Sequence, residues 1–402
     1  MANFALLSHT LPPSPSGQAV MLYRILCGVP EDEYYLIHSR VLPQEEGSES
    51  NHFHLRARYY SLPTEPTLSW PRHFRLGHVR NKLNLFLQIY MRAKNIADIL
   101  RREPATSALV ACSGDFADIP AGSLAGRILR LPFYAYIFDD YVFQWTGSQR
   151  WIAKLIAPFI FRPSAGIIGP NEFICEEYQR RYGVKTTVVR NPCDRAELNK
   201  EPHIQAHAKN SRIKIIYTGA VYHANFDCFH NLIRAMKSLH EYPLELHVFT
   251  AQTREQLETQ GIQSEKLFIH SHVPYSEILE EQRKADILFL PLAFESPIPE
   301  VIRTSAPGKL GEYLASGRPV LAHVPADSFV AYYLEKNQCG LVASENSLAS
   351  LKVHILKLIN DDGFRRVITR NARQRAQLDF DPQVAHERLV DFLSTSTHRN
   401  PR

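Results

Sequence analysis

The stretch Ala306-Pro-Gly-Lys-Leu-Gly-Glu-Tyr-Leu-Ala-Ser-Gly-Arg-Pro-Val-Leu-Ala-His323 carries the strongest structural signal in this chain. It predicts a short helix over Lys309–Ser316, ended by a glycine and a proline, and then a buried strand over Pro319–His323. A helix N-terminus carries unpaired N–H groups and a partial positive charge, so it favours phosphate. Lys309 adds a full charge, and Glu312 offers oxygens to sugar hydroxyls. The stretch indicates a nucleotide site, although a solvated i,i+3 ion pair would also fit.

Length and composition set the class of protein. A chain of 402 residues is too long for one core and predicts two domains of roughly 150–200 residues each. Its 45% hydrophobic and 22% charged residues are typical of a globular protein. The six cysteines are scattered without metal-ligand spacing, which predicts free thiols in a reducing cytoplasm. The N-terminus lacks a basic signal region and no apolar run is long enough to span a bilayer, so we expect a cytoplasmic protein.

The net charge of +5 is concentrated in one segment of the first half. Residues 54–102 contain 10 Lys or Arg and 2 Asp or Glu, interleaved with aromatics such as Trp70 and Phe74. Basic residues attract anionic headgroups and aromatic side chains suit the interface, so this strip predicts peripheral contact with an anionic membrane. A solvated loop and a surface for single-stranded nucleic acid are the alternatives.

Short β-rich runs alternate with helical patterns, which predicts parallel α/β domains. A long helix is expected over Lys82–Leu100, and 43–78 is expected to be a long loop with little regular structure. The strands expected in the first half are Phe4–Ser8, Tyr34–His38, Ala108–Cys112, Phe133–Phe138, Ala165–Gly169 and Thr186–Val189.

An interdomain link is expected near Asn191–Ser211, where prolines and polar residues interrupt the pattern. The elements expected after it are the strands Ile213–Thr218, Leu244–Thr250, Leu267–His270 and Ile287–Leu290, with a helix over Phe226–His240.

Four segments in order resemble the retaining glycosyltransferases of group 1, a family similar to glycosyltransferase family 4. The opening stretch resembles their donor-binding signature, and Ile213–Ala220 resembles the strand and glycine loop that begin the donor domain. Ala285–Pro291 resembles the strand before the donor site, and Ile167–Asn171 resembles the exit from the first domain.

This resemblance implies the GT-B fold, an α/β architecture of two Rossmann-like domains whose parallel sheets face each other across a cleft. It places an acceptor-side domain at 1–192 and a donor-binding domain at 193–379. A C-terminal helix within 380–402 would pack back on the first domain.

The activity implied is transfer of a sugar from a nucleotide diphosphate sugar to a saccharide or lipid-linked acceptor, with retention, in cell-surface polysaccharide synthesis. No metal and no other cofactor are expected. Lipid-linked acceptors favour the membrane interpretation of 54–102 over nucleic acid and place the protein on the inner membrane face. Two alternatives stay open: a nucleotide-sugar epimerase of the same fold, and a non-catalytic nucleotide-sugar-binding subunit.

The resemblance also implies a set of donor-binding residues. These are Gly17, Gly219, Val273, Arg303, Thr304, Ser305, Gly308, Lys309, Leu310 and Glu312. Lys309, helped by Arg303, would be the main charge partner of the leaving diphosphate. Gly17 would allow close approach of the first loop, and Gly219 would open a diphosphate loop; either glycine would also fit a plain turn.

Three positions depart from the commoner family pattern. Ala220 and Asn225 stand where many members carry Arg and Lys, and Asn225 also suits an N-cap. Thr304 stands where the first of two glutamates is usual, so we expect the ribose-binding Glu312 to be retained and recognition of the transferred sugar to be altered.

On the acceptor side, Asp139 and Asp140 are the catalytic candidates besides Lys309, because relatives place an acceptor-facing histidine near here. A helix cap or an ion pair with Arg150 is the alternative for this pair. The metal-binding DxD motif of another transferase fold needs an intervening residue, so a metal site is not expected. Asp115 is a further cleft-edge candidate.

Overall fold

The computed structural model describes residues 3–14, 16–39, 54–67, 69, 77–200, 212–271 and 273–397. The chain divides into two compact units, which we call unit 1 (1–190 with 383–402) and unit 2 (191–382). We predicted divisions after residues 192 and 379, and the structure divides the chain after 190 and 382.

Unit 1 is built on a seven-stranded parallel sheet with the order β3-β2-β1-β4-β5-β6-β7. The strands are β1 (Phe4–Ser8), β2 (Tyr34–His38), β3 (Arg58–Ser61), β4 (Ala108–Cys112), β5 (Phe133–Tyr136), β6 (Gly166–Gly169) and β7 (Thr186–Val188). The helices are α1 (Gly17–Leu26), α2 (Gly77–Arg102), α3 (Asp118–Leu129), α4 (Gly147–Phe161) and α5 (Glu172–Tyr182). The chain reverses direction across the sheet between β1 and β4, which is where open α/β sheets place ligands.

Both faces of this sheet are covered, and the sequences of its inner strands follow from that. β1 reads Phe-Ala-Leu-Leu-Ser and every residue in it is buried, as expected where helices pack on both faces of a parallel sheet. Helices α2 to α5 contribute to the core on one face. Helix α1 contributes to the core on the other.

Strand β3 corrects the prediction of a long loop over 43–78. Its four residues pair with β2 at the edge of the sheet, and a strand this short shows no clear alternation in sequence. Tyr60 packs edge-on against Tyr35, with ring centroids 5.5 Å apart, whereas Tyr59 packs against the core on the opposite face. These two tyrosines therefore do not add exposed aromatic surface to the 54–102 strip. Parts of the expected loop and of the 54–102 strip lie outside the described residues, namely 40–53, 68 and 70–76, which include Trp70 and Phe74.

Unit 2 is built on a six-stranded parallel sheet with the order β10-β9-β8-β11-β12-β13. The strands are β8 (Ile213–Thr218), β9 (Leu244–Phe249), β10 (Leu267–His270), β11 (Ile287–Pro291), β12 (Val320–His323) and β13 (Leu341–Ala343). The helices are α6 (Arg195–Asn199), α7 (Phe226–Ser238), α8 (Arg254–Thr259), α9 (Tyr275–Arg283), α10 (Pro299–Thr304), α11 (Lys309–Ala315), α12 (Phe329–Lys336), α13 (Leu348–Asn360) and α14 (Asp362–Asp379). Most of the expected link, 201–211, lies outside the described residues.

The last helix, α15 (Pro382–Thr397), leaves unit 2 and packs on unit 1. Leu389 and Leu393 are buried in the same core as α1. Phe392 lies edge-on against Tyr134 of β5, with ring centroids 5.7 Å apart. The crossing expected from the resemblance is therefore present, because the sheet face beside α1 is completed by the end of the chain.

Candidate functional site

Lys309 lies at the first position of α11, directly above the end of β8. Its Nζ is 3.9 Å from the centroid of the Tyr217 ring, which is within the range of a cation–π contact. Gly219 follows that strand with a φ of +120°, and a Cβ at this position would lie 2.8 Å from the Lys309 Nζ. The backbone conformation therefore favours glycine, and any larger residue would also displace the ammonium.

The ammonium of Lys309 lacks an anionic partner in the part of unit 2 that the structure describes. Burial lowers the pKa of Lys309 to about 7, and the nearby charge of Glu312 raises it only in part. No described carboxylate lies within ion-pair distance of the Lys309 Nζ. A desolvated cation beside backbone N–H groups and a glycine loop favours an anionic ligand.

The carboxylate of Glu312 is oriented by a neighbouring amide. The Gln282 Nε2 donates to the Glu312 Oε2 at 3.3 Å and lies 3.3 Å from the Thr218 Oγ1. Tyr313 completes the arrangement, because its hydroxyl accepts from the Thr218 N–H at 3.0 Å. Gln282 is buried. Glu312 is therefore held at the carboxyl end of β8, one helical turn from Lys309.

Asn225 fixes the loop after Gly219. Its Nδ2 lies 3.2 Å from the Tyr217 hydroxyl and 3.3 Å from the Ala220 carbonyl oxygen, and its Oδ1 accepts from the Tyr222 N–H at 2.9 Å. Asn225 holds the N-cap position of α7 as expected, but its side chain makes no capping hydrogen bond. The asparagine that replaces the family's lysine thus shapes the glycine loop.

The segment between α10 and α11 supplies backbone groups next to Lys309. Ser305 and Gly308 are half-buried, while Thr304 is buried and its hydroxyl donates to the Glu300 carbonyl at 3.0 Å. Leu310 is buried in the core of unit 2, so only its backbone could face a ligand. Arg303 and Val273 are half-buried, and His272 lies outside the described residues.

Glu300, at the start of α10, carries an unusual carboxylate. Its Oε2 is buried and has no hydrogen-bond partner among the described residues. A buried oxygen of this kind is costly unless a ligand or water satisfies it. In sequence Glu300 lies four residues before Thr304, where the family's first glutamate would stand.

Sequence reasoning missed three members of this site. Tyr217 stacks on the ammonium, and Gln282 and Thr218 position Glu312. Tyr217 lies in a strand that the sequence predicts. A tyrosine in a buried strand does not by itself indicate that a lysine will lie over its ring. Gln282 is on a helix 30 residues before Glu312, so only the packing of α9 against β8 brings them together.

In unit 1, Gly17 is the first residue of α1, after Ser16, whose hydroxyl accepts from the Ala19 N–H. A Cβ at Gly17 would meet no atom within 4 Å. The described neighbours of this position therefore do not require glycine.

The two aspartates after β5 differ in their surroundings. Asp139 is exposed, whereas Asp140 is buried, accepts from the Val142 and Phe143 N–H groups at 2.9 and 3.1 Å, and pairs with Arg181. The ion-pair partner of Asp140 is thus Arg181 and not Arg150. These contacts give Asp140 a structural role in the turn after β5.

Asp115 belongs to a buried charge cluster. Arg92, which is 2% exposed, contacts Asp115 at 2.7 Å, Asp118 at 2.5 Å and Glu65 at 2.7 Å. The pKa of Asp118 is raised to about 7, first by burial and then by Asp115. The cluster joins α2, α3 and the loop before α2, which is a structural role for Asp115.

Three further observations concern the described part of the chain. No three His, Cys, Asp or Glu side chains there are grouped to hold a metal ion. No helix described is long and apolar enough to cross a bilayer. All six cysteines are free thiols, and only Cys27 is exposed.

The fold resembles solved structures over nearly the whole chain. A glycosyltransferase from Rickettsia africae superposes with a TM-score of 0.68 at 14% identity, covering 99% of this chain and all of that one. HepE of Anabaena, in complex with UDP and glucose, gives 0.65 at 14% identity, covering 98% and 100%. A putative UDP-N-acetylglucosamine 2-epimerase from Listeria monocytogenes gives 0.61 at 11% identity, covering 100% and 98%. At these identities the similarity establishes the fold alone.

Sequence comparison adds the family. A search of curated proteins finds no match. Residues 212–361 match the family model of the group 1 glycosyl transferases. This segment contains Gly219, Lys309 and Glu312, and the match confirms the resemblance to group 1 glycosyltransferases of the GT-B fold. The chain has a GT-B fold, and its residues 212–361 match the model of the group 1 glycosyl transferases.

Proposed function

We propose that this protein is a glycosyltransferase that moves a sugar from a nucleotide diphosphate sugar to a saccharide or lipid-linked acceptor, with retention at the anomeric carbon. We place the reaction in cell-surface polysaccharide synthesis. The observation that carries the proposal is the ammonium of Lys309, partly buried and without a described anionic partner above the Gly219 loop, within the segment that matches the family model.

Donor binding would use groups that the fold already holds in place. The diphosphate would occupy the space beside Lys309 and the backbone N–H groups of Ala220, Ala306 and Gly308, where it would supply the anionic partner of the lysine. Glu312, oriented by Gln282, would accept hydrogen bonds from the ribose hydroxyls. HepE, a protein of the same fold, binds UDP-glucose, which supports a uridine nucleotide as the first donor to test.

The transferred sugar would be recognised differently from the commoner family pattern. Thr304 lacks the carboxylate that its position usually supplies, and its hydroxyl is bonded within α10. The unpartnered Oε2 of Glu300, one turn earlier, is the described carboxylate that we assign to the sugar hydroxyls.

The chemical step needs no side-chain nucleophile. The bond between the anomeric carbon and the diphosphate oxygen breaks, and the acceptor oxygen forms the new bond on the same face. The acceptor proton passes to the departing phosphate oxygen, so charge and atoms balance. Lys309 would stabilise the negative charge that develops on that oxygen, and its contribution is therefore greatest in the transition state.

Acceptor binding is assigned to unit 1. Asp139 is exposed after β5 and is the acceptor-side carboxylate that we propose, since Asp140 is held by Arg181 and two backbone N–H groups. Peripheral contact with an anionic membrane through 54–102 remains a separate proposal, with its exposed basic residues, such as Arg56 and Lys82, as the described contributors.

The first experiment is a thermal-shift screen of nucleotide sugars, followed by transfer assays with the donors that bind. Ligand at about 100 times its Kd adds roughly 2.7 kcal/mol to the free energy of unfolding. Lys309→Met should lower kcat more than it lowers donor affinity, and Lys237→Met, at an exposed position on α7, is the matched control. The configuration of the product, read by NMR, tests retention.

Two outcomes would replace the proposal. Conversion of the donor to an epimer in the absence of any acceptor would identify a nucleotide-sugar epimerase. Tight donor binding without turnover across a broad acceptor panel would identify a binding subunit. Absence of binding to every nucleotide sugar would contradict the donor site itself.

A further inference from the structure

The outer face of α4 is apolar and exposed to solvent. Trp151, Leu155 and Phe159 recur at i, i+4 and i+8 and expose 59%, 51% and 72% of their surfaces. The opposite side of the same helix is buried against unit 1 through residues such as Ile152 and Ile160. The helix is thus apolar on both sides, although only one side has a described neighbour to pack on.

A second apolar stripe lies on α2. Leu83, Phe86 and Tyr90 are exposed at i, i+3 and i+7 of that helix. The two helices meet at their starts, because the Lys82 Nζ lies 5.8 Å from the centroid of the Trp151 ring. We call the surface formed by Leu83, Phe86, Trp151, Leu155 and Phe159 the apolar face. Large apolar side chains gathered on one surface mark an interaction site, whereas scattered ones do not.

The charges beside the apolar face have one sign. Residues 141–171, which include all of α4, contain Arg150, Lys154 and Arg162 but no Asp or Glu. Lys154 and Arg162 are exposed, as are Lys82 and Lys94 on α2. These four cations form no ion pair with any residue that the structure describes.

We propose that the apolar face is a membrane-docking surface that enters the headgroup region of an anionic bilayer. Its aromatic and aliphatic side chains suit the interface, and the cations around it suit acidic headgroups. A second copy of this chain fits less well, because a two-fold contact through this face would gather the cations Lys154 and Arg162 of both copies in one interface. The proposal adds α4 to the basic strip of residues 54–102, and the sequence did not indicate this helix. The proposal does not depend on the donor chemistry.

The test uses the full chain and vesicles of either phosphatidylcholine or an equimolar mixture with phosphatidylglycerol. We expect wild-type protein to sediment with the anionic vesicles, more weakly at high salt, and the emission of Trp151 to shift to shorter wavelength. L155S/F159S should lower the partition coefficient at least about tenfold, which corresponds to about 1.4 kcal/mol of lost interfacial burial. K154Q/R162Q should remove the preference for phosphatidylglycerol.

The matched control is V353S/V367S, which removes two exposed valines from unit 2 and should leave sedimentation unchanged. Donor binding by each variant, measured by thermal shift, should equal that of the wild type. If wild-type protein binds no nucleotide sugar, that result would count against the proposed function and not against the membrane proposal. Wild-type protein that stays in solution at low salt would overturn the membrane proposal. So would a dimer, seen by light scattering, that F159S converts to monomer, since the face would then bind a second copy.

Discussion

At the scale of single residues, the spacing and the family resemblance together predict Lys309 and Glu312 as site residues, but neither predicts their surroundings. The structure adds the Tyr217 ring under the ammonium and the Gln282 amide at the carboxylate. The Tyr217 ring and the Gln282 amide fix the positions of the two charged groups relative to β8.

Glu312→Ala should weaken binding of the nucleotide sugar. Loss of a charged hydrogen-bond partner costs about 1.5–3 kcal/mol, or roughly 10- to 150-fold in affinity. Isothermal calorimetry on the folded variant measures the effect, and Glu295→Ala, at an exposed position nearby, is the control. An unchanged Kd in Glu312→Ala would remove the ribose assignment.

Affinity for a nucleotide sugar should fall as the pH rises above 7. Free Lys309 has a pKa of about 7 because burial disfavours its charge. A bound diphosphate raises that pKa, so binding takes up a proton above pH 7, and affinity falls by up to about tenfold per pH unit. Calorimetry in buffers of different ionisation enthalpy measures the proton uptake, and Lys309→Met should abolish both effects.

The same pKa shift gives a stability control. A lysine whose folded pKa lies below its unfolded value destabilises the fold at pH values below the folded pKa, and the cost disappears as pH rises towards the unfolded pKa. Lys309→Met should therefore be more stable than wild type near pH 6, and the difference should shrink by pH 9. A variant that is less stable at every pH would show that Lys309 acts as a packing residue.

At the scale of elements, the turn from β8 to α7 contains the loop that we propose for the diphosphate. Gly219 adopts a φ that favours glycine, and Asn225 ties the following residues to the Tyr217 hydroxyl and to the Ala220 carbonyl. The family's cation at that position is therefore replaced by a residue that orders the backbone. Lys309 is left as the described cation closest to this loop.

Gly219→Ala should damage the donor site. The new methyl would lie 2.8 Å from the Lys309 Nζ, and the φ of +120° disfavours alanine. We expect donor affinity to fall at least about tenfold, with a loss of stability of about 1–3 kcal/mol from backbone strain. Thermal unfolding with and without donor separates the two effects.

Gly17→Ala provides the comparison, because space is open around that position. Its stability should match the wild type. A loss of donor affinity there would support contact of the first loop with the donor, whereas Gly219→Ala with normal affinity would contradict the loop assignment.

At the scale of the whole molecule, unit 2 contains the residues that we propose for donor binding, and unit 1 contains Asp139 and the apolar face. The last helix belongs to unit 1 although it follows unit 2 in the chain.

Transfer activity should survive chelation of metal ions. The diphosphate site that we propose uses Lys309 and backbone N–H groups, so a divalent cation is not required to offset the leaving charge. Turnover measured in EDTA should match turnover in buffer alone. Full loss of activity that manganese or magnesium restores would contradict this and would make Asp139 and Asp140 candidates for metal ligands.

Local sequence determined much of this protein. The bounds of β1, β2, β4, β8 and β10 agree with the sequence predictions, since buried parallel strands are continuous apolar runs. The end of α11 was also predicted closely, at Ser316 against Ala315 in the structure, because a glycine and a proline follow the helix. These features depend on neighbours within a few residues, which is the range over which hydrophobic period and turn chemistry act.

Only the tertiary structure decided which side chains meet. Lys309 contacts the ring of Tyr217, 92 residues earlier in the chain, and Glu312 accepts a hydrogen bond from the amide of Gln282, 30 residues earlier. Asp140 pairs with Arg181 instead of Arg150. The edge strand β3 forms because β2 offers it a partner, and the outer side of α4 is exposed because no described element covers it. These contacts depend on how whole helices pack on the sheets. A local sequence pattern carries no information about a partner that is distant in the chain.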